Sequence, residues 1–360
     1  MPDLLDIKVN RDGINLDCWL AGGEYRKLKA PVKPYFFTST PNPSIDPMKR
    51  LYLSALHRAP MRSVVPTAVW QESCPTVYDV RRSRDLVEVV GESDVRFIER
   101  LCIDYGFQND VTLERLRCVG IDIEAEAESG QFPNPKREFD PLTALAVHGG
   151  NVSKGFVGSE KEIIGSAIET IRTVNPDVIF TYSGTGIDYE YPLVRAHING
   201  LSYKLGRRGD EPYIMKNVYR RKFFERTEVS TLLEGRLCMD VFNEVLFDQS
   251  LTGMRRGLKV VGRHFFPKVE IVEVDRARIH DLTSAEKAKY CLSDARLAYM
   301  LGIHYLRGIC ALARRYKVPL GLMVRRKPSH LGNLFYGRAF NALGIISDGS
   351  NGDRFKELLE

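Results

Sequence analysis

The spacing of apolar and polar residues changes once along the chain, near Leu116. Up to about Asp110, short apolar runs are separated by eight prolines between positions 31 and 75, a pattern typical of strands joined by turns. The last segment of this region, 94–107, instead places its apolar residues at helical spacing. Beyond Leu116, apolar runs of strand length alternate with segments of helical period. The pattern predicts a β-rich N-terminal domain followed by an α/β domain.

Four strands and three helices are predicted within the α/β part. Two of the helices begin at capping boxes, one formed by Ser159 with Glu162 and the other by Thr283 with Glu286. The first of these helices should stop at Asn175, which precedes a proline. The predicted strands are 116–124, 141–150, 177–182 and 236–242, and the predicted helices are 160–174, 188–198 and 284–306.

Composition indicates an ordinary folded protein. Apolar residues make up 44% and charged residues 27% of the 360 positions, which excludes a disordered or fibrous chain. The first residues are acidic where a secretory signal would be basic, and no apolar run reaches the ~20 residues of a spanning helix, so we expect a cytoplasmic protein. The seven cysteines form no C-x-x-C pair and are expected to be reduced and mostly buried.

Positive charge is concentrated in two segments, although the net charge is only +6. Residues 195–226 carry nine basic and three acidic side chains, and residues 295–347 carry nine basic side chains and no acidic one. Such segments favour a polyanion such as nucleic acid, because binding releases its counterions. A solvated basic surface without a ligand is the alternative that charge alone leaves open.

Acidic residues at three places are candidates for chemistry. Asp122 and Glu124 are two apart on a predicted strand, so both project from one face and could share a hard cation such as Mg²⁺ or Mn²⁺. Asp188 follows a strand and a glycine-containing turn, where sites form in open α/β sheets. Tyr290 and Asp294 are four apart and share one face of a predicted helix. Taken singly, each also fits a bland interpretation: a solvated strand face, a helix N-cap, and a half-buried aromatic beside a solvated acid.

Together, the order D-x-E, Asp and Y-x-x-x-D resembles the three exonuclease motifs of the DEDD superfamily in its tyrosine variant. LRCVGIDIE, NPDVIFTYSGTGIDYEYPLVRA and YCLSDARLAYMLG look like the motif regions of the exonuclease domain of archaeal-type family B DNA polymerases. The resemblance implies an α/β, RNase H-like (DnaQ-like) exonuclease domain at 113–310. It also implies a β-rich α+β N-terminal domain at 1–112 and a linker toward a missing palm domain at 311–360.

The resemblance further implies a metal-dependent 3′→5′ exodeoxyribonuclease, the proofreading portion or subunit of a polymerase. Two Mg²⁺ or Mn²⁺ ions would be its cofactors. Asp122 would bridge both metals, Glu124 and Asp294 would complete the first site, and Asp188 would serve the second. Tyr290 would orient the attacking water. The alternative is a non-catalytic DNA-binding module or scaffold subunit of a split polymerase.

Substrate and partners are implied in the same way. The substrate would be a single-stranded or frayed DNA 3′ end, bound by the residues Ser183, Gly184, Ile187, Arg207, Arg208, Arg220 and Arg221. The second motif departs from the usual Y-N-G-D-N-F-D, because Ser183 and Ile187 replace an Asn and a Phe, which predicts a weaker grip on the DNA. The polymerase motifs S-L-Y-P-S and D-T-D are absent from the 360 residues, so a palm-bearing polymerase subunit is an expected partner.

Overall fold

Two compact units make up the described part of the chain. A computed structural model describes residues 3–10, 15–31, 33–38, 60–61, 69–74, 76, 79–80, 89–91, 95–127, 131–183, 187–221, 224–274, 281–325, 334–339 and 342. One unit comprises Met1–Trp19, Tyr25–Asp110 and Ala313–Glu360, and the other comprises Leu20–Glu24 and Val111–Leu312.

The first unit is rich in strands, as the proline-punctuated pattern predicts. A three-stranded sheet has the order β1-β2-β3, and a four-stranded sheet has the order β5-β6-β4-β7. One described helix, α1, follows these strands. The elements are β1 (Leu4–Val9), β2 (Asn15–Leu20), β3 (Tyr25–Lys29), β4 (Tyr35–Thr38), β5 (Pro60–Met61), β6 (Val69–Ser73), β7 (Val89–Gly91) and α1 (Phe97–Asp104).

The second unit is built on a mixed five-stranded sheet of order β10-β9-β8-β11-β14. Strand β9 pairs antiparallel with both β8 and β10, whereas β8, β11 and β14 run parallel to one another. The strands are β8 (Cys118–Ala125), β9 (Leu142–Gly149), β10 (Val152–Phe156), β11 (Val178–Thr181) and β14 (Leu237–Asp240), with a separate hairpin of β12 (Tyr213–Arg221) and β13 (Phe224–Leu232). The helices are α2 (Glu160–Val174), α3 (Ile187–Ile198), α4 (Val241–Phe247), α5 (Leu258–Phe265) and α6 (Ser284–Arg315).

Alternating side chains divide this sheet between two helical layers. Ile121 and Val147 point to one face, where they form a core with isoleucines of α2 and tyrosines of α3. Ala144 and Ala146 point to the other face and pack against Cys291 and Ala295 of α6. Small residues on the α6 face let the helix approach the strands closely, and this approach determines where the polar side chains of α6 lie.

The predicted starts of α2 and α6 and the predicted end of α2 are confirmed, whereas α6 continues to Arg315, beyond the end predicted at 306. Ser159 and Glu162 form a complete capping box at the start of α2, and Asn175 ends the helix in the left-handed region at φ 47°. The Thr283–Glu286 box caps α6, because each side chain bonds the backbone N–H of the other. The prediction of strand at 236–242 is wrong beyond Asp240, because the Asp240 carboxylate accepts from the Phe242 N–H and starts α4.

Residues 313–325, predicted to lie in a linker, pack within the first unit. A short helix, α7 (Leu320–Val324), lies against β1. Arg325 forms two hydrogen bonds with the Asp6 carboxylate, at 2.6 and 3.0 Å, and Asn109 donates to the carbonyls of Leu4 and Val318. The domain boundaries proposed from the sequence stay a prediction.

Two further expectations concern the whole chain. All seven cysteines lie in the described part as free thiols, and six of them are buried, as predicted. Among the described residues, no helix is both long and apolar enough to cross a bilayer. The expected cytoplasmic location stays a prediction.

Candidate active site

The carboxyl ends of β8, β11 and β14 meet at one edge of the second unit's sheet. Asp122 and Glu124 lie near the end of β8, opposite Ala146 and Ala144 of β9. On the other side of β8, the end of β11 runs beside Asp240 of β14 and leads toward α3. Acidic residues from separate segments of the sequence are therefore gathered at this edge.

Helix α6 brings the third predicted pair to the same place. Its residue Cys291 is fully buried and donates its S–H to the Asp122 carbonyl at 3.2 Å. This contact places the helical turn from Tyr290 to Asp294 directly against β8. The Asp294 side chain is largely buried and Tyr290 is 4% exposed.

The predicted carboxylates influence the ionisation of one another. Burial raises the pKa of Asp122 well above its ordinary value, and the negative charges of Asp188, Glu124 and Asp294 raise it further. Burial also raises the pKa of Asp188, together with the charges of Asp240 and Glu124. Like charges held together in this way favour protonation or a bound cation.

The donor set suits a hard divalent cation, since it consists of carboxylate oxygens that mutual repulsion destabilises. No three His, Cys, Asp or Glu side chains among the described residues are arranged tightly enough to hold one metal ion. The chemistry of the residues therefore fits Mg²⁺ or Mn²⁺.

Lys259 is a residue of the candidate site that the sequence did not predict. It lies in the first turn of α5, and its ammonium is 3.4 Å from Asp294 Oδ1 and 4.0 Å from the centre of the Tyr290 ring. Nothing in the local sequence distinguishes Lys259 from the other basic residues. Only the packing of α5 beside α6 reveals it.

Asp240 was also missed, although the sequence carried a signal for it. Its carboxylate accepts from the backbone N–H of Ser183 at 2.8 Å and from that of Phe242 at 3.0 Å. It thereby holds Ser183, two residues after the end of β11. An Asp between an apolar strand and an apolar helix is the same signal that singled out Asp188.

Comparisons with known proteins show what this chain is similar to. Residues 146–259 match the model of the exonuclease domain of family B DNA polymerases, a span that includes Asp188 and Asp240. A DNA polymerase of Pyrococcus horikoshii is 27% identical over 287 residues, covering 75% of this chain and 22% of that protein. A DNA polymerase of Methanocaldococcus jannaschii is 29% identical over 249 residues, covering 61% of this chain and 14% of that protein.

The chain is a homologue of the family B DNA polymerases. A solved structure of the family B DNA polymerase from the hyperthermophilic archaeon Pyrobaculum calidifontis matches with a TM-score of 0.72 at 19% identity. That match covers 96% of this chain and 51% of the other, and it shows the fold, which is RNase H-like in the second unit. The chain spans only about a fifth of the Pyrococcus horikoshii polymerase, so the activities of the whole relatives do not transfer with the homology.

The loop of the second exonuclease-type motif is partly described. Ser183 is exposed and adopts a left-handed backbone at φ 60°, and Ile187 is 40% exposed at the start of α3. Gly184, predicted as a DNA-binding residue, lies outside the described residues, as do the side chains of Arg220 and Arg221. Their assignment stays a prediction.

Arg207 needs a correction, because it is not placed to bind DNA. Its guanidinium is buried and donates to the Asp177 carboxylate at 2.7 Å, to the Asn175 side chain at 2.9 Å and to the Gly235 carbonyl at 2.7 Å. Asp177 is itself fully buried, so this pair is structural. The neighbouring Arg208 is half-exposed and 3.9 Å from Glu234, and it keeps its place in the predicted DNA-binding set.

Two exposed aromatic residues lie on the loop that joins β8 to β9. Phe132 is 72% exposed and Phe139 is 76% exposed. The loop is nevertheless anchored, because Arg195 donates to the Arg137 carbonyl at 2.8 Å and the Asn134 N–H donates to the buried Asp140 carboxylate at 2.7 Å. Exposed rings on an anchored loop are suited to stacking against nucleic-acid bases.

Proposed function

We propose that this chain is a metal-dependent 3′→5′ exodeoxyribonuclease, the proofreading portion or subunit of a family B DNA polymerase. One observation carries the proposal: four carboxylates from three separate motifs are gathered at one sheet edge in electrostatic contact. Homology to the exonuclease domain of these polymerases supports it independently.

The carboxylates are the proposed metal ligands. Asp122 would contact both ions, Glu124 and Asp294 would complete one site, and Asp188 would serve the other. When bound, Mg²⁺ or Mn²⁺ would activate a water molecule and offset the charge that develops on the departing 3′ oxygen. The positions of Asp122 on a strand and Asp294 on a helix packed against it would keep the ligand set rigid.

Tyr290 would orient the attacking water. It belongs to the same turn of α6 as Cys291, whose bond to the Asp122 carbonyl fixes that turn against β8. A phenol at this position can donate a hydrogen bond and align the water with the phosphorus, which is a positioning contribution.

A single-stranded or frayed 3′ end is the proposed substrate. Phe132 and Phe139 would stack on bases, and exposed basic residues such as Arg208 would follow the phosphate backbone. The Ser183 and Ile187 departures in the loop before Asp188 would weaken this hold. A palm-bearing polymerase subunit, or a longer chain that supplies a palm, is the proposed partner.

The test is a degradation assay on single-stranded DNA labelled at its 5′ end. We expect stepwise shortening from the 3′ end with Mg²⁺ or Mn²⁺, none with EDTA, and none from Asp122→Ala with either metal. Asp122→Ala at the wild-type rate would refute the site assignment. An inactive wild-type chain that still binds DNA would favour the alternative, a non-catalytic DNA-binding module.

A further inference from the structure

The ammonium group of Lys259 is held by three partners at the edge of the carboxylate cluster. It donates to the Val272 carbonyl at 2.9 Å, lies 3.4 Å from Asp294 Oδ1 and sits 4.0 Å above the Tyr290 ring. The Val272 N–H in turn donates to Ser293 Oγ at 3.1 Å, next to Asp294 on α6. The lysine therefore links α5 and α6 through a closed set of contacts.

The requirements of helix α5 do not explain this lysine. Lys259 lies in the first turn, where the helix macrodipole disfavours a positive charge. No acidic residue and no side-chain N-cap is present at that end of α5 to offset it. Its placement is accounted for by what the ammonium contacts on α6.

Two of those contacts involve proposed active-site groups. A cation over the face of a tyrosine ring fixes the plane of the ring and hence the direction of its phenol. At 3.4 Å, the contact with Asp294 is longer than the ~2.7–2.9 Å of a close charge-assisted hydrogen bond. The shorter bond goes to the Val272 carbonyl, so the lysine is anchored to the backbone and can remain beside Asp294 when that carboxylate takes another ligand.

We propose that Lys259 is a built-in cation of this site, which holds Tyr290 in its working orientation and competes with a divalent ion for the Asp294 carboxylate. The inference rests on the proposed nuclease function. Lys259 is a positioning residue in this scheme, and it sets the divalent-ion concentration that the site requires.

Removal of the Lys259 ammonium should have opposite effects on two measurable quantities: the affinity for a divalent ion should rise and the rate of hydrolysis should fall. Without the ammonium, a divalent ion meets less competing positive charge at Asp294 and binds more tightly. Without the contact to its ring, Tyr290 orients water less well and hydrolysis slows. If Lys259 merely stabilised the fold, its removal would weaken metal binding and slow hydrolysis together.

The test compares Lys259→Met with Lys259→Arg, which keeps the charge, and with Lys287→Met as a matched control. Lys287 lies on α6 and is largely buried, and its ammonium is 2.5 Å from Glu126 Oε1, so its loss removes a comparable ion pair away from Asp294. Binding of Mn²⁺ alone, without DNA, is measured by titration with electron paramagnetic resonance. Single-turnover cleavage of single-stranded DNA is measured at saturating Mn²⁺, and thermal unfolding in EDTA verifies that each variant folds.

For Lys259→Met we expect a Mn²⁺ dissociation constant several-fold lower than that of the wild type, since the competing charge lies within ~4 Å of the ligand. The cleavage rate should fall by about 10- to 100-fold, as for a misplaced reacting group. Lys259→Arg should bind Mn²⁺ nearly as the wild type does, and Lys287→Met should match the wild type in both measurements.

Unchanged or weaker Mn²⁺ binding by Lys259→Met would overturn the inference, as would the same tightening in Lys287→Met. A wild-type chain that neither binds Mn²⁺ nor cleaves DNA would overturn the proposed function instead. In that case, a gain of Mn²⁺ binding in Lys259→Met would still support competition between the lysine and the divalent ion. No gain of Mn²⁺ binding would refute that competition.

Discussion

At the scale of single residues, Asp122 is a carboxylate whose ionisation the folded site disfavours. Burial and three neighbouring carboxylates keep its pKa well above the ordinary value in the folded protein. In the unfolded chain it ionises near pH ~4. The folded state therefore binds the proton more tightly, and the stability that this group contributes at low pH is lost as the pH rises toward the folded-state pKa.

A neutral isostere removes this cost together with the function. We expect Asp122→Asn to abolish the Mn²⁺-dependent nuclease and to raise the thermal midpoint measured in EDTA at neutral pH. The rise should be about 2–4 °C for each kcal/mol relieved in a unit of ~200 residues. At a pH below ~4 the gain should disappear, because both states are then protonated. A lower midpoint at neutral pH would show that the charge is not destabilising.

Removal of the Arg207 side chain should reduce stability, whereas removal of the neighbouring Arg208 side chain should reduce DNA affinity. Arg207→Ala leaves the buried Asp177 carboxylate with backbone N–H donors from Gly22 and Arg117 but without its buried cation, and should cost about 3–5 kcal/mol in urea unfolding. Arg208→Ala should change stability by less than ~0.5 kcal/mol. It should instead weaken DNA binding and reduce the salt dependence of the affinity by about one phosphate contact. DNA affinity lost in the first variant at unchanged stability would contradict the structural role of Arg207.

At the scale of elements, the site depends on how closely α6 approaches β8. A Cβ at Gly120, two residues before Asp122, would lie 2.3 Å from the Ala295 carbonyl oxygen of α6. A Cβ at Gly155 of β10 would lie 2.7 Å from the Ala288 carbonyl. Because both obstacles are helix backbone, the helix rather than a side chain would have to move.

Gly120→Ala should therefore displace the helix that carries Tyr290 and Asp294. We expect a loss of at least about 1–3 kcal/mol of stability, as for overpacking in a core, and a large fall in nuclease rate. The matched control is Gly165→Ala in α2, where a Cβ has open space and the substitution should stabilise by about 0.5–1 kcal/mol. The comparison needs chemical denaturation and the 3′-end degradation assay. Equal behaviour of the two variants would mean that close helix–strand contact is unimportant.

The segment between β11 and α3 can be restored toward the usual motif. Ser183→Asn is compatible with the left-handed backbone at φ 60°, which Asn adopts readily, and Ile187→Phe places a ring at an exposed position. The pair should lower KM on single-stranded DNA by about 10- to 1,000-fold, from ~1–3 kcal/mol of stacking and ~0.5–1.5 kcal/mol of hydrogen bonding. Because this is uniform binding, kcat should change little. An unchanged or higher KM would show that the loop does not hold DNA in this way.

At the scale of the whole molecule, the chain has the sheet edge with the candidate exonuclease carboxylates but lacks the polymerase sequence motifs. Neither S-L-Y-P-S nor D-T-D occurs in its 360 residues. We expect the purified chain to shorten a primed template even when all four deoxynucleotides are present. Primer extension, followed on a sequencing gel with a heat-inactivated control, would contradict this expectation.

The sequence determined much of the second unit by local rules. Capping boxes at Ser159 and Thr283 marked two helix starts, and Asn175 before a proline marked a helix end, because each signal acts within one turn of the helix. Alternation on β8 put Asp122 and Glu124 on one face of the strand for the same local reason. Resemblance to known motifs then joined these residues to Asp188 and Asp294, which no local rule could do.

Tertiary structure alone decided the rest, because it depends on contacts between distant segments. The hairpin β12–β13 and the short helix α5 lie in segments for which no element had been predicted. The burial of Arg207 follows from Asp177, thirty residues away, whereas the sequence offered only its positive charge. Lys259 of α5 contacts Asp294 of α6 because the two helices pack together. The residues next to Lys259 in the sequence do not indicate such a contact.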